Sequence, residues 1–150
     1  MDTPLYNARI LRLAASIPHA ERLPRPQATA RRTSPVCGSR VTADVVVDPQ
    51  GRITAFGQEV RACALGQASA AILGGAVLGE TGASLAEAHA QLAAWLKGDG
   101  PLPSLLAGRF PDLELFEPAR AHPARHPSVC LAFEAAAAAA SEAALLTPAG

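Results

Sequence analysis

Cysteine is scarce in this chain, and the scarcity narrows its chemistry. Three cysteines are too few, and odd in number, for the disulfide framework of a small secreted protein. They fit a reducing, cytoplasmic compartment better. None belongs to a CxxC pair, so no compact zinc or redox motif is evident. An excess of one charge is missing as well. Thirteen basic and thirteen acidic residues give a formal net charge of zero, which argues against nucleic acid as a partner. Arg25, Arg31 and Arg32 cluster near prolines and read as a solvated loop. The first ten residues carry no basic segment followed by an apolar core, so no signal peptide is expected. The longest alanine tract, Ala135 to Ala140, is too short to span a bilayer, so no membrane partner is expected either. No serine or cysteine sits in a motif with a recognisable base and orienter, which argues against a thiol or serine enzyme.

What is present suits one domain over residues 1–150, long enough to enclose a real core. Residues 4–17 read as a first helix, with Pro4 early in it and Leu5, Ile10, Leu13, Ala14 and Ile17 at helical spacing. Tyr6, the only tyrosine, is expected to anchor that helix. Pro18, Pro24 and Pro26 mark residues 18–31 as a linker or extended arm. Residues 32–36 suit a short edge strand. Two alternating runs, about 40–48 and 51–61, flank the turn residues Asp48-Pro49-Gln50-Gly51 and read as a β-hairpin. Val41, Ala43, Val45 and Val47 share one face of the first run.

The period then changes. Ala68 to Leu78 reads as a buried helix that starts near Leu65, and Gly74-Gly75 inside it implies a close backbone crossing or an early helix end. Ser84 with Glu87 has the spacing of a capping box for a helix reaching about Lys97, with Leu85, Ala88, Leu92 and Trp95 inward. Residues 104–107 suit a short helix or turn, and 111–119 a short helix ending at Pro118. A last, alanine-rich helix runs from about Ser128 to Leu146, anchored by Leu131 and Phe133.

The hairpin gives the cysteines their interest. Cys37 precedes the first strand and Cys63 follows the second, so the ribbon places its two ends, and two thiols 26 positions apart, side by side. That suggests a metal or iron–sulfur centre, or sulfur-transfer chemistry; the competing reading is three small buried hydrophobes. Gly38 frees the backbone beside Cys37, and Cys63 stands just before a helix whose N-terminus favours a thiolate charge. Cys130 is close to the start of the last helix. His126, four residues earlier, suits a ligand, a base or a histidine capping a carbonyl. His19, His89 and His122 read as surface residues.

Taken in order, these segments resemble the U-type iron–sulfur cluster assembly scaffolds, in the NifU-like branch. The likeness begins at Tyr6-Asn7, passes through Pro35-Val36-Cys37-Gly38-Ser39-Arg40 and the hairpin, and is strongest over Arg61-Ala62-Cys63-Ala64-Leu65-Gly66-Gln67-Ala68-Ser69-Ala70. The resemblance implies an α/β (α+β) fold: an N-terminal helix, then a three-stranded antiparallel sheet packed against several C-terminal helices. It implies a non-enzymatic scaffold that accepts sulfur from a cysteine desulfurase, builds a transient [2Fe–2S] cluster and delivers it to apo iron–sulfur proteins. Some relatives bind zinc in the same place. The family site uses three cysteines and an aspartate. Cys37 and Cys63 match two of the cysteines. Ser39 stands where the aspartate is expected, and Ser128 where the third cysteine falls in the ungapped register. Cys130 is then two residues late, a rotation of roughly 200° around the helix. The ligand set implied is Cys37 and Cys63, with His126 and Cys130 as additions. Two thiolates per chain allow a homodimer around one cluster. The alternative is an interaction or regulatory protein with a degenerate or zinc-binding site.

Overall fold

A computed structural model describes residues 5–35 and 38–146 of the chain. The order of elements is α1 (Ala8–Ala14), β1 (Ala28–Thr33), β2 (Arg40–Val47), β3 (Ile53–Arg61), α2 (Ala64–Gly74), α3 (Gly82–Lys97), α4 (Ser104–Arg109), two 3₁₀ stretches (Pro111–Ala121 and Pro123–Arg125) and α5 (His126–Leu146). The strands form one antiparallel sheet in the order β1-β2-β3. This is the expected class: an N-terminal helix, a three-stranded antiparallel sheet, and helices behind it.

The hairpin follows its turn chemistry. Asp48 Oδ1 accepts from the backbone N–H groups of Gln50 and Arg52, and Gly51 takes the left-handed conformation at φ 81°. Val45 pairs with Phe56 and Val46 with Ala55, but Val47 pairs with Ile53, so Thr54 is the extra residue of a β-bulge. Val41, Ala43, Val45 and Val47 are all buried, on the strand that packs against α5.

The opposite face of β2 is buried too, because the proline-rich arm wraps the sheet. At the outer edge of β3, Gln58 N–H donates to His19 O, and the Gln58 side chain donates to Pro18 O and Ala70 O. His19, at φ 58°, bends the chain around that edge. Glu21 to Leu23 then cross the back of β3, where a Cβ on Gly57 would strike Glu21 O. A strand edge covered in this way does not template pairing with another chain. The arm is shorter than its sequence suggests: β1 runs Ala28–Thr33, so it starts four residues before the expected 32–36 strand and overlaps it only at Arg32 and Thr33.

Other boundaries shift for local reasons. α1 begins at Ala8 because Asn7 Oδ1 caps the Ile10 N–H at 2.9 Å. Pro4, expected inside this helix, lies outside the described residues, and Tyr6 is 39% exposed rather than anchored. α2 stops at Gly74, where a Cβ would lie 3.0 Å from Pro18 O; both the early end and the close crossing therefore occur. α3 starts one turn earlier than Ser84 implies. Thr81 is the cap, Ser84 returns the second bond of the box, and Glu87 instead accepts from Gln91.

The core lies between the sheet and α5, with α2 and α3 closing its sides. The 24-residue stretch Pro123–Leu146 is long and apolar enough by composition to cross a membrane, which the alanine tract alone does not suggest. Of its most apolar window, 61% is buried inside the fold, as a core helix requires.

Candidate functional site

The sheet register fixes one end of the molecule. Arg40 at the start of β2 pairs with Arg61 at the end of β3, so Ser39 and Ala62 continue from the same end of the ribbon. Cys63 follows as the N-cap of α2, half-buried, in extended backbone (φ −67°, ψ 173°), and makes no side-chain capping bond. Cys37 lies outside the described residues. The turn next to it is held by Gly38 N–H donating to Ser34 O and Ser34 N–H donating to Ser39 O, with Gly38 at φ 71°.

Ser128 comes to this end from far along the sequence. A Cβ on Gly66, three residues into α2, would lie 3.4 Å from Ser128 O and 3.9 Å from Ser128 Cβ. Ser69 Oγ, one turn further on, donates to Val129 O at 2.5 Å. The small residues of α2 thus let the first turn of α5 approach its backbone. Ser39 and Ser128 are both buried, at 3% and 1% exposure. The sheet end, the start of α2 and the start of α5 therefore converge where the resemblance places its ligands, and two of the positions present neutral hydroxyls.

His126 and Cys130 open elsewhere. Both line a groove of about 560 Å³ between α3 and the start of α5, together with His89, Lys97 and Glu134. Cys63 is not part of it. His126 Nε2 is 3.1 Å from Ala119 O and 3.3 Å from Arg120 O, which is the carbonyl-capping arrangement. Burial, with the nearby Glu134 carboxylate, pushes the Cys130 thiol up to about 12; Lys97 acts in the opposite sense. At neutral pH this thiol is protonated, the less nucleophilic and less metal-binding form. Among the described residues, no group of three or more His, Cys, Asp or Glu side chains could hold a metal ion.

The most elaborate polar constellation is one that the alternating pattern of β2 conceals. Asp44, fully buried, accepts from Arg22 Nε and Nη2, one edge of the guanidinium (2.6 and 3.1 Å), from Leu23 N–H at 3.0 Å and from Thr29 Oγ1 at 2.5 Å. Burial alone would raise its pKa; the hydrogen bonds from Arg22, Thr29 and Leu23 outweigh it and hold the carboxyl below its usual value. Its role is to clamp the arm to the sheet.

Comparison with solved structures decides the family. The crystal structure of the N-terminal part of a nitrogen-fixing NifU-like protein from Brucella abortus matches 93% of this chain and 94% of that one, at 40% identity and a TM-score of 0.84. The chain belongs to the NifU-like family. Two more distant structures share the fold. One is described as an iron–sulfur cluster assembly scaffold for the SUF system of Fervidobacterium islandicum AW-1 (18% identity, TM-score 0.79, covering 91% of this chain and 96% of that one). The other is a hypothetical protein (20% identity, TM-score 0.76, covering 89% and 95%). No family model matches the chain, and no curated protein matches it. Membership of a NifU-like scaffold family is consistent with a non-enzymatic role.

Proposed function

We propose that this NifU-like chain is a non-enzymatic interaction or regulatory protein of iron–sulfur cluster assembly, with a ligand site reduced from the family pattern. Its partners are then a cysteine desulfurase and apo iron–sulfur proteins, met through the retained fold. The observation that carries this reading is the pair of buried serines. Ser39 and Ser128 occupy positions where an aspartate and a cysteine are expected, at the end of the sheet from which Cys63 emerges. A hydroxyl brings no charge to a ferric or zinc centre, whereas thiolate and carboxylate do. The resemblance leaves two family cysteine positions filled, Cys37 and Cys63, so one chain lacks the four donors that a [2Fe–2S] cargo or a structural zinc ion takes.

Anaerobic reconstitution with iron and sulfide, followed by visible absorption and the metal-to-protein ratio, tests the reading. The wild type should hold well under one cluster per chain and lose it readily to a chelator, and a Zn²⁺ titration should likewise give no tight one-to-one binding. Ser39→Asp with Ser128→Cys should raise occupancy toward one cluster per chain. A full cluster per chain in the wild type, lost in Cys37→Ala and kept in Cys130→Ala, would overturn the reading in favour of a working assembly and transfer scaffold. One cluster per two chains, with a dimer on sizing, would do the same through four thiolates shared between copies.

A further inference from the structure

We infer that the free edge of β1 is a docking site for an extended acidic segment of a partner protein, which adds to the sheet as a further strand and makes no use of the thiols. β1 is the outer strand on its side of the sheet, whose order is β1-β2-β3. The opposite edge, on β3, is closed by the arm through His19 O. The register fixes which backbone groups of β1 remain. Ser34 N–H donates to Ser39 O, in step with the pairs Arg32–Val41, Ala30–Ala43 and Ala28–Val45, so the even-numbered residues turn their backbone groups toward β2. Thr29, Arg31 and Thr33 turn theirs outward, and no backbone bond joins them to another described segment. All three residues are exposed. Among these outward groups Arg31 O is met by Arg32 Nη1 at 2.9 Å, and a carbonyl oxygen accepts a second donor.

Charge decides the occupant. Arg31 reaches Thr42 Oγ1 through Nε at 3.2 Å, and it has no ion-pair partner among the described residues. Its row across the sheet is Arg31, Thr42 and Glu59; the next row on the same face is Thr33, Arg40 and Arg61. Glu59 is the carboxylate of these two rows, and it stands 3.8 Å from Arg61. Three arginines against one carboxylate leave this face positive. On the other face Arg32 is already matched by Glu134 at 3.4 Å. A second copy of the chain, paired antiparallel about Arg31, would set Arg31 against Arg31, and like charges directly opposite are destabilising. An incoming strand with a carboxylate at every second position instead places its charges on the face of Arg31 while its main chain bonds to Thr29, Arg31 and Thr33. Its alternate side chains fall on the side of Ala28 and Ala30, where apolar residues fit.

A capped, fluorescein-labelled peptide of alternating glutamate and valine, titrated into the full chain, tests the site. Its anisotropy should rise saturably, and hydrogen exchange at the Thr29, Arg31 and Thr33 amides should slow while that of the arm-covered Gln58 amide stays unchanged. N-methylation of one alternate set of peptide amides should abolish binding, and of the other set leave it, because a single set faces β1. Lysine in place of glutamate should weaken binding to the wild type at least about tenfold. Arg31→Glu should weaken the glutamate peptide about fivefold and strengthen the lysine peptide, an exchange that loss of folding cannot imitate. No saturable rise, unchanged exchange at the three outward amides, the same result from both N-methylated peptides, equal binding of the lysine peptide, or no exchange of preference in Arg31→Glu would each overturn the inference. A dimer on sizing that the peptide disperses would overturn it too, by placing a second copy on the edge.

Discussion

A single buried carboxylate shows how local chemistry sets the path of this chain. Asp44 lies in an alternating strand where its face would ordinarily meet water, and it is buried only because Arg22, Leu23 and Thr29 close over it. Asp44→Asn removes the charge and leaves a donor where acceptors are needed. It should destabilise the fold by about 2–3 kcal/mol in urea denaturation at neutral pH, a figure discounted because the Arg22 side chain is 43% exposed. The pH dependence has a definite sign. A carboxyl held below its unfolded value of about 3.9 contributes stability fully above that pH and loses it as pH falls through the lower folded value. The wild-type stability curve should therefore drop more steeply in acid than that of Asp44→Asn; parallel acid limbs would refute the clamp. None of this was legible in the sequence. Asp44 reads there as an outward strand residue, and its partners lie 15 to 22 positions away. By contrast, helix geometry led one to expect Ser128 and Cys130 on different sides of α5, and Ser128 lies against α2 while Cys130 lines the groove beside α3.

At the scale of the element, the sequence is readable wherever one period dominates. Alternation located β2 and β3, and the 3.6-residue stripe of Leu85, Ala88, Leu92 and Trp95 located α3 with its inner face. The stretch Pro111–Ala121 follows a different period. Leu113, Phe116 and Ala119 are buried, as is Phe110 before them, one residue in three. Three residues per turn is the 3₁₀ repeat, so this spacing was the available signal for an unusually long 3₁₀ segment that runs through Pro118. Where elements cross, small residues decide. A Cβ on Gly82, at the start of α3, would lie 2.7 Å from Ser141 N and 2.8 Å from Ser141 Cα, backbone that cannot rotate aside. Gly82→Ala should lower stability by about 1–3 kcal/mol by forcing α3 from α5. Gly75→Ala is the control: its Cβ would meet nothing nearer than 3.5 Å in ordinary helical backbone, so it should be neutral or slightly stabilising. A melting-temperature comparison separates them, and equal shifts would remove the crossing argument.

Over the whole molecule, α5 is the element on which the others close, yet most of its buried surface is alanine. β1, β2, α2 and α3 all pack on it, and its buried residues include Ala132, Ala135, Ala136, Ala137, Ala139, Ala140 and Ala143. Each alanine lets a neighbour approach but removes little apolar area from water. The large side chains must then carry a disproportionate share. Phe133 is fully buried and meets Phe110 edge-to-face, with ring centroids 5.1 Å apart, so it joins the central helix to the 3₁₀ segment across the core. Phe133→Ala should cost about 3–5 kcal/mol, a large part of the roughly 5–15 kcal/mol that holds such a domain together. Because α5 touches the sheet and both flanking helices, the loss should appear as one cooperative transition moved to lower denaturant with its slope unchanged. Far-UV circular dichroism and Trp95 fluorescence, followed through the same urea titration, check this directly. Separate midpoints for the two signals would mean that α3 and the sheet do not share one core through α5.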